Sequence, residues 1–288
     1  MKIHGKVIET IPKERIVILE CGKEHMYLYF QRKDFREFGP YFFDKPYLFL
    51  EVSDNKKICK NFAVHEVLQF NRVVEPSYYN KAKRRKIYFD MDTIKKGVRE
   101  LINKPHNKMF IDLEFTMPAY FQTMPHVQEI LQYGIIIEDK NGNVVFEKSS
   151  LVKPSRPYLL NSRTLTFLSR KRSDFDKACT YKEFYDMLKM CMREYKPKVY
   201  AWGRSDINTI EQSFTINKVK PLDIRKHHIN LMQVIKNYYN LKDEMGLFQT
   251  YEEMSNKTME PQQHDAFEDA YLTREVFKMF KETINKSE

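Results

Sequence analysis

The run Met109-Phe110-Ile111-Asp112-Leu113-Glu114-Phe115-Thr116 constrains this chain more than any other stretch. Apolar residues flank two carboxylates, a pattern that predicts a buried strand. Successive side chains of a strand point to opposite faces, so Asp112 and Glu114, two apart, leave the same face. Charges inside a run of Phe, Ile and Leu are costly unless something compensates them. A divalent cation gripped by both carboxylates does so. An edge strand with a solvated acidic face is the other reading that this octapeptide admits.

Two later stretches favour the first. Tyr200-Ala201-Trp202-Gly203-Arg204-Ser205-Asp206 predicts a short buried strand, a Gly-containing turn and an aspartate capping the next helix. His264-Asp265-Ala266-Phe267-Glu268-Asp269-Ala270 places a histidine five residues before an aspartate. The order Asp-x-Glu, then Asp, then His-x-x-x-x-Asp resembles the DEDDh 3′→5′ exonucleases of the RNase T-like, ribonuclease H-like superfamily. Asp112-Leu113-Glu114-Phe115-Thr116-Met117-Pro118 and Trp202-Gly203-x-x-Asp206 resemble its Eri-like and KapD-like branch. The resemblance spans residues 109–281, and all five signature residues are present.

What the resemblance implies is chemically coherent. Phosphodiester hydrolysis needs charge neutralisation, hydroxide near neutral pH and a stabilised leaving alkoxide, which two divalent ions about 3.5–4 Å apart supply. Mg²⁺ prefers oxygen ligands, and Asp112, Glu114, Asp206 and Asp269 provide four carboxylates from three elements. By resemblance, two Mg²⁺ (or Mn²⁺) bind there. Asp112 bridges them, Glu114 and Asp269 complete the site of the nucleophilic water, and Asp206 supports the second ion. His264 is the expected general base, its ordinary pKa near 6.5 leaving a neutral imidazole at physiological pH. Thr116 matches the family's Asp-x-Glu-x-Thr pattern and is expected near the terminal nucleotide. Phe115 and Met117 form a wall for the last base or simply pack in the core. Arg204 touches phosphate or is an ordinary surface residue. Asp265 and Glu268 read as outer or solvated helix positions.

The rest of the chain reads as a second module. Residues 1–108 hold 23 Lys and Arg against 14 Asp and Glu, whereas residues 109–288 hold 26 against 25. A locally basic domain suggests a polyanionic partner, although lysine-rich surfaces are also common without one. Candidate strands Lys2–Glu9, Arg15–Glu20, His25–Gln31, Tyr47–Val52 and Phe62–Phe70 predict a small β-barrel over residues 1–72, of the OB or cold-shock type. Tyr27, Tyr29, Tyr47 and Phe49 alternate with apolar residues and are placed to stack bases, or to pack beneath a loop over residues 39–43. Residues 73–108 read as a basic linker and an amphipathic helix after Asp92. Its cluster Lys83-Arg84-Arg85-Lys86 lies along a nucleic-acid backbone or is plainly solvated. Residues 109–288 form the exonuclease domain of the expected α/β fold, a mixed central sheet flanked by helices. Asn141-Gly142 turns a hairpin, Thr180-x-x-Glu183 is a capping box, and further helices are expected over Ile229–Tyr239, Phe248–Met254 and Asp265–Thr283.

Four scattered cysteines, no apolar N-terminal segment and no membrane-length apolar run predict a reduced, soluble, cytoplasmic protein without a membrane partner. The expected activity is release of nucleoside 5′-monophosphates from single-stranded nucleic acid, RNA favoured over DNA. A DNA-directed exonuclease and a non-catalytic RNA-binding regulator on the same fold are the alternatives, and oligomeric state stays open. A phosphohydrolase built on His264-Asp265 leaves Asp112 and Glu114 unused.

Overall fold

The computed structural model describes residues 1–76, 87–241, 243–259 and 264–286. The chain forms two compact units, Met1–Val98 with Asn237–Lys242, and Arg99–Lys236 with Asp243–Glu288.

In the first unit all five expected strands form. They are β1 (Lys2–Ile11), β2 (Ile16–Cys21), β3 (Glu24–Tyr29), β4 (Tyr47–Cys59) and β5 (Phe62–Val74), with α1 (Arg32–Phe42) between β3 and β4. The order β3-β2-β1-β4-β5 closes on itself because β3 also pairs with β5, in parallel, at Leu28–His65 and Tyr29–Glu66. A closed five-stranded barrel with this connectivity is OB-like. Val7, Val17, Leu19, Leu28, Leu48, Leu50 and Val67 fill it from alternate strand positions.

The expectation of a loop over residues 39–43 is corrected. Residues 39–42 complete α1 and Phe43 caps it, and the helix buries Phe38 and Phe42. Gly39-Pro40 reads as punctuation in sequence, but it falls near the helix's end, where a proline removes one main-chain hydrogen bond. Aromatic burial outweighs that loss: Phe38 stacks on Phe70 at 3.8 Å between ring centres, and Phe42 lies 5.3 Å from Phe30. Strand β6 (Ile87–Asp90) adds to β5, and α2 (Met91–Asn103) follows. The stretch 73–108 therefore holds the end of β5, then β6 and α2. Lys83, Arg84, Arg85 and Lys86 lie outside the described residues.

The second unit is built on β7 (Lys108–Phe115), β8 (Ile130–Glu138), β9 (Val144–Leu151), β10 (Lys198–Ala201) and β11 (His228–Asn230). The sheet order is β11-β10-β7-β8-β9, with β7 parallel to β10 and antiparallel to β8. The helices are α3 (Ser162–Phe167), α4 (Tyr181–Glu194), α5 (Ser205–Ile216), α6 (Leu231–Tyr239), α7 (Leu247–Ser255) and α8 (Ala266–Lys286). The capping box at α4 forms as the sequence implies: Glu183 N donates to Thr180 Oγ1 at 3.2 Å, and Thr180 N donates to Glu183 at 2.6 Å. None of the helices among the described residues is long and apolar enough to cross a membrane.

The period of two in β7 decides where the acids go. Met109, Ile111 and Leu113 enter a core with Phe184, Leu188, Ile207 and Ile210 of α4 and α5. Phe110 points the other way, its ring 5.5 Å from Phe277 of α8. Asp112 and Glu114 share the face of Phe110, so they rise toward α8.

Candidate active site

The site forms where β7, the start of α5 and the start of α8 converge. Glu114 Oε1 lies 3.9 Å from His264 Nδ1, and ligand atoms of Glu114, His264 and Asp269 lie within 4.8 Å of one another. Asp206 arrives from α5, and its Oδ1 accepts a 3.1 Å hydrogen bond from Leu113 N, the peptide between the two β7 acids. The reading of Asp206 as a helix cap is thereby corrected. Arg204 occupies the N-cap position without a capping bond, and Asp206, in the first turn, is turned toward β7 instead.

Electrostatics make this cluster unsettled on its own. Burial, then the Asp206, Asp269 and Glu114 carboxylates, hold Asp112 well above the usual carboxylate range. Burial, then the Asp269, Asp206 and Asp265 carboxylates, push Glu114 up to about 8, and burial pushes Asp206 to about 7. Carboxylates accumulate this way when a cation is meant to share them. The donor set is all oxygen apart from one imidazole, which suits a hard divalent ion. Burial draws His264 below its ordinary range, so its imidazole is neutral at neutral pH.

Asp265, read as an outer or solvated position, and several residues that carried no site expectation hold this arrangement. Asp265 precedes α8, and its Oδ1 accepts from Phe267 N at 3.0 Å and Glu268 N at 3.3 Å. Its Oδ2 accepts from Gln132 Nε2 at 2.8 Å and Arg170 Nη2 at 3.2 Å. His264 itself takes a left-handed backbone (φ 50°), and its ring stacks on Phe167 of α3 at 3.9 Å. Gly134 of β8 pairs with Asp112. A Cβ there would sit 2.1 Å from Ala266 O and 2.5 Å from Phe267 Cα, so only glycine lets α8 approach. A lone glycine in the apolar run Leu131–Glu138 is the sequence signal for such an approach. Nothing comparable marks Gln132, Phe167 or Arg170.

The remaining expected residues are spread more widely. Thr116 is fully buried; its hydroxyl accepts from Glu129 N at 3.0 Å and meets His126 Nε2 at 3.0 Å, bracing the loop that follows β7. Glu129 in turn accepts from Arg156 and from Ser155 N. Phe115 packs against the sheet core. Met117 is half-buried, its N–H donating to Thr164 Oγ1 at 3.0 Å. Arg204 is exposed.

On the barrel three of the four aromatics fall into two patches. Tyr27 stacks on Phe62 at 5.6 Å, and Tyr29 lies beneath Lys57 and accepts from Arg15 Nη2 at 2.6 Å. Phe49 instead stacks on His4 at 5.5 Å beside Arg72, in a concavity of about 450 Å³ that Lys2 and Lys95 also line. Tyr47, also on β4, is half-buried. Tyr29 pairs with Glu66 on β5 and Phe49 with Arg72, which separates the patches by roughly 20 Å of strand at about 3.3 Å per residue.

A mixed sheet with an acid pair on its central strand, two further aspartates and a histidine brought to the same place defines a nuclease of the DEDDh class. Residues 109–277 match the family model described as exonuclease, and the chain belongs to that family. It is similar to the probable 3′-5′ exonuclease KapD of Bacillus subtilis (strain 168), with 26% identity over 177 residues covering 60% of this chain and 84% of that protein. Among solved structures, the nuclease domain of 3′hExo, a DEDDh family member bound to rAMP, superposes with a TM-score of 0.54 at 16% identity. That match covers 61% of this chain and 92% of that one. The cell-death related nuclease 4 (CRN-4) gives 0.53 at 18% identity, covering 64% and 66%.

Proposed function

We propose that this protein removes nucleoside 5′-monophosphates one at a time from the 3′ end of single-stranded nucleic acid, RNA in preference to DNA. The observation that carries this reading is the meeting of Asp112, Glu114, Asp206, Asp269 and His264 around one point. Two Mg²⁺ or Mn²⁺ ions, when bound, supply neutralising charge at the phosphate and hydroxide near neutral pH. Asp112 would hold both, Glu114 and Asp269 the one beside the attacking water, and Asp206 the other. His264, neutral and stacked on Phe167, accepts the water's proton. The structural neighbour carrying rAMP makes a ribonucleotide strand the first substrate to try. The basic, aromatic faces of the barrel support a role in gathering that strand.

The test is digestion of 5′-labelled single-stranded RNA and DNA in Mg²⁺, Mn²⁺ or EDTA. A ladder shortening by single nucleotides from the 3′ end, absent in EDTA and faster on RNA, is expected. Activity in EDTA, or cutting of a circular strand, contradicts the proposal. In the same assay His264→Ala should lower kcat by roughly 10²–10⁴, the range for a lost general base. A variant within threefold of the parent means that another group takes the proton.

Metal binding should itself depend on pH. Glu114 and Asp206 ionise less readily folded than unfolded, so the metal-free fold keeps their full contribution in acid. It loses that contribution as pH rises through about 7 to 8. A cation shared by the carboxylates removes the penalty. The rise in melting temperature on adding millimolar Mg²⁺ should therefore be larger at about pH 8.5 than at about pH 6. Equal rises at both would show that these carboxyls do not bind the ion.

A further inference from the structure

The loop after β7 exposes apolar groups where a folded surface usually hides them. Tyr120, Phe121 and Met124 are 67%, 97% and 74% exposed. The loop is nonetheless tied down. Met117 O accepts from Asn161 Nδ2 at 2.8 Å, Pro118 O accepts from Arg163 Nη1 at 3.4 Å, and Gln122 Nε2 donates to Met124 O at 3.1 Å. Most of these anchors belong to α3 and the residue that caps it. The Arg163 guanidinium also lies over the Tyr120 ring, 5.6 Å from its centre. One helical turn further along α3, at i+4 and so on the same face, is Phe167, whose ring stacks on His264 at 3.9 Å.

A row of residues therefore leads away from His264: Phe167 stacked on it, Arg163 on the same face of α3, Tyr120 beneath the Arg163 guanidinium, and Phe121 next in the chain. Rings interrupted by a guanidinium match a single strand, in which flat bases alternate with charged phosphates. Exposed aromatic groups joined to an active site by such a row are suited to stacking that gains nothing from a particular base identity. We propose that the Tyr120–Phe121–Met124 tip is the platform for bases upstream of the 3′ end, with Arg163 on the phosphate between platform and active site. This assignment rests on the exonuclease reading and adds the path of the strand to it.

The full-length protein and its Tyr120→Ala/Phe121→Ala variant would be compared on a single-stranded octanucleotide and a dinucleotide in Mg²⁺. Both side chains are exposed, so the fold should be unaffected. The octanucleotide carries six nucleotides beyond the two that a dinucleotide can place at the active centre. Its KM should rise roughly tenfold more than the dinucleotide's, as expected for a lost stacking partner. Phe121→Tyr should restore most of the difference. Arg163→Gln should reduce the salt slope of octanucleotide binding by about one unit. Equal changes for the two substrates, or no change for either, would overturn the platform. Octanucleotide affinity measured in EDTA separates the two readings. If the parent cleaves nothing yet the variant binds about tenfold more weakly, the exonuclease reading falls and the platform stands. If the variant binds as well as the parent, the platform falls.

Discussion

Asp112→Asn should lower kcat by about 10³-fold or more, yet raise the melting temperature of the metal-free protein. The two effects share one cause. Asp112 is pressed by its own burial and by the carboxylates of Asp206, Asp269 and Glu114. An amide of the same shape carries no charge to repel them, so the metal-free fold relaxes. The same substitution removes the anion that would join two cations, and such stabilisation is worth several kcal/mol, at 1.36 kcal/mol per factor of ten. Single-turnover digestion in Mg²⁺ and thermal melts in EDTA check both halves. Activity within tenfold of the parent, or a fall in melting temperature, would remove Asp112 from the centre of the site.

Gly134→Ala should cut kcat by about 10²-fold without touching any acid or the histidine. The added methyl meets main-chain atoms of Ala266 and Phe267, which cannot rotate away. Either β8 or the start of α8 must move, and His264 and Asp269 flank that start. A displacement near 1 Å at reacting groups typically loses this much rate, while overpacking of this kind costs about 1–3 kcal/mol of stability. Gly97→Ala is the control, because its Cβ would meet nothing within 4 Å. Circular dichroism should show both variants folded. A Gly134→Ala enzyme of parental activity would mean that α8 has more freedom than its packing implies.

These two residues also mark the limits of what could be read in advance. Asp112 announces itself, since a charge inside Phe-Ile-x-Leu needs a reason, and Glu114, Asp206, His264 and Asp269 follow in a recognisable order. The barrel strands were legible because alternation has a short period that five or six residues suffice to display. Helix α1 was not, because Gly39-Pro40 interrupts its longer period and its apolar stripe is aromatic, as in neighbouring strands. The Asp265 clamp draws on Gln132 and Arg170, 133 and 95 residues away in the chain. Such contacts leave no local periodicity. The exposure of Phe121 was equally invisible, since a sequence shows that a ring is present but not what covers it.

The convergence at the start of α8 has a consequence for the chain while it is being made. Asp112, Glu114 and Asp206 emerge early, but neither the imidazole nor the fourth carboxylate exists until some sixty residues more have been added. Pairing of β7 with β8 and β10 can proceed meanwhile, because those contacts lie within the part already synthesised. The sheet and the first three acids can thus be in place before the candidate site is complete.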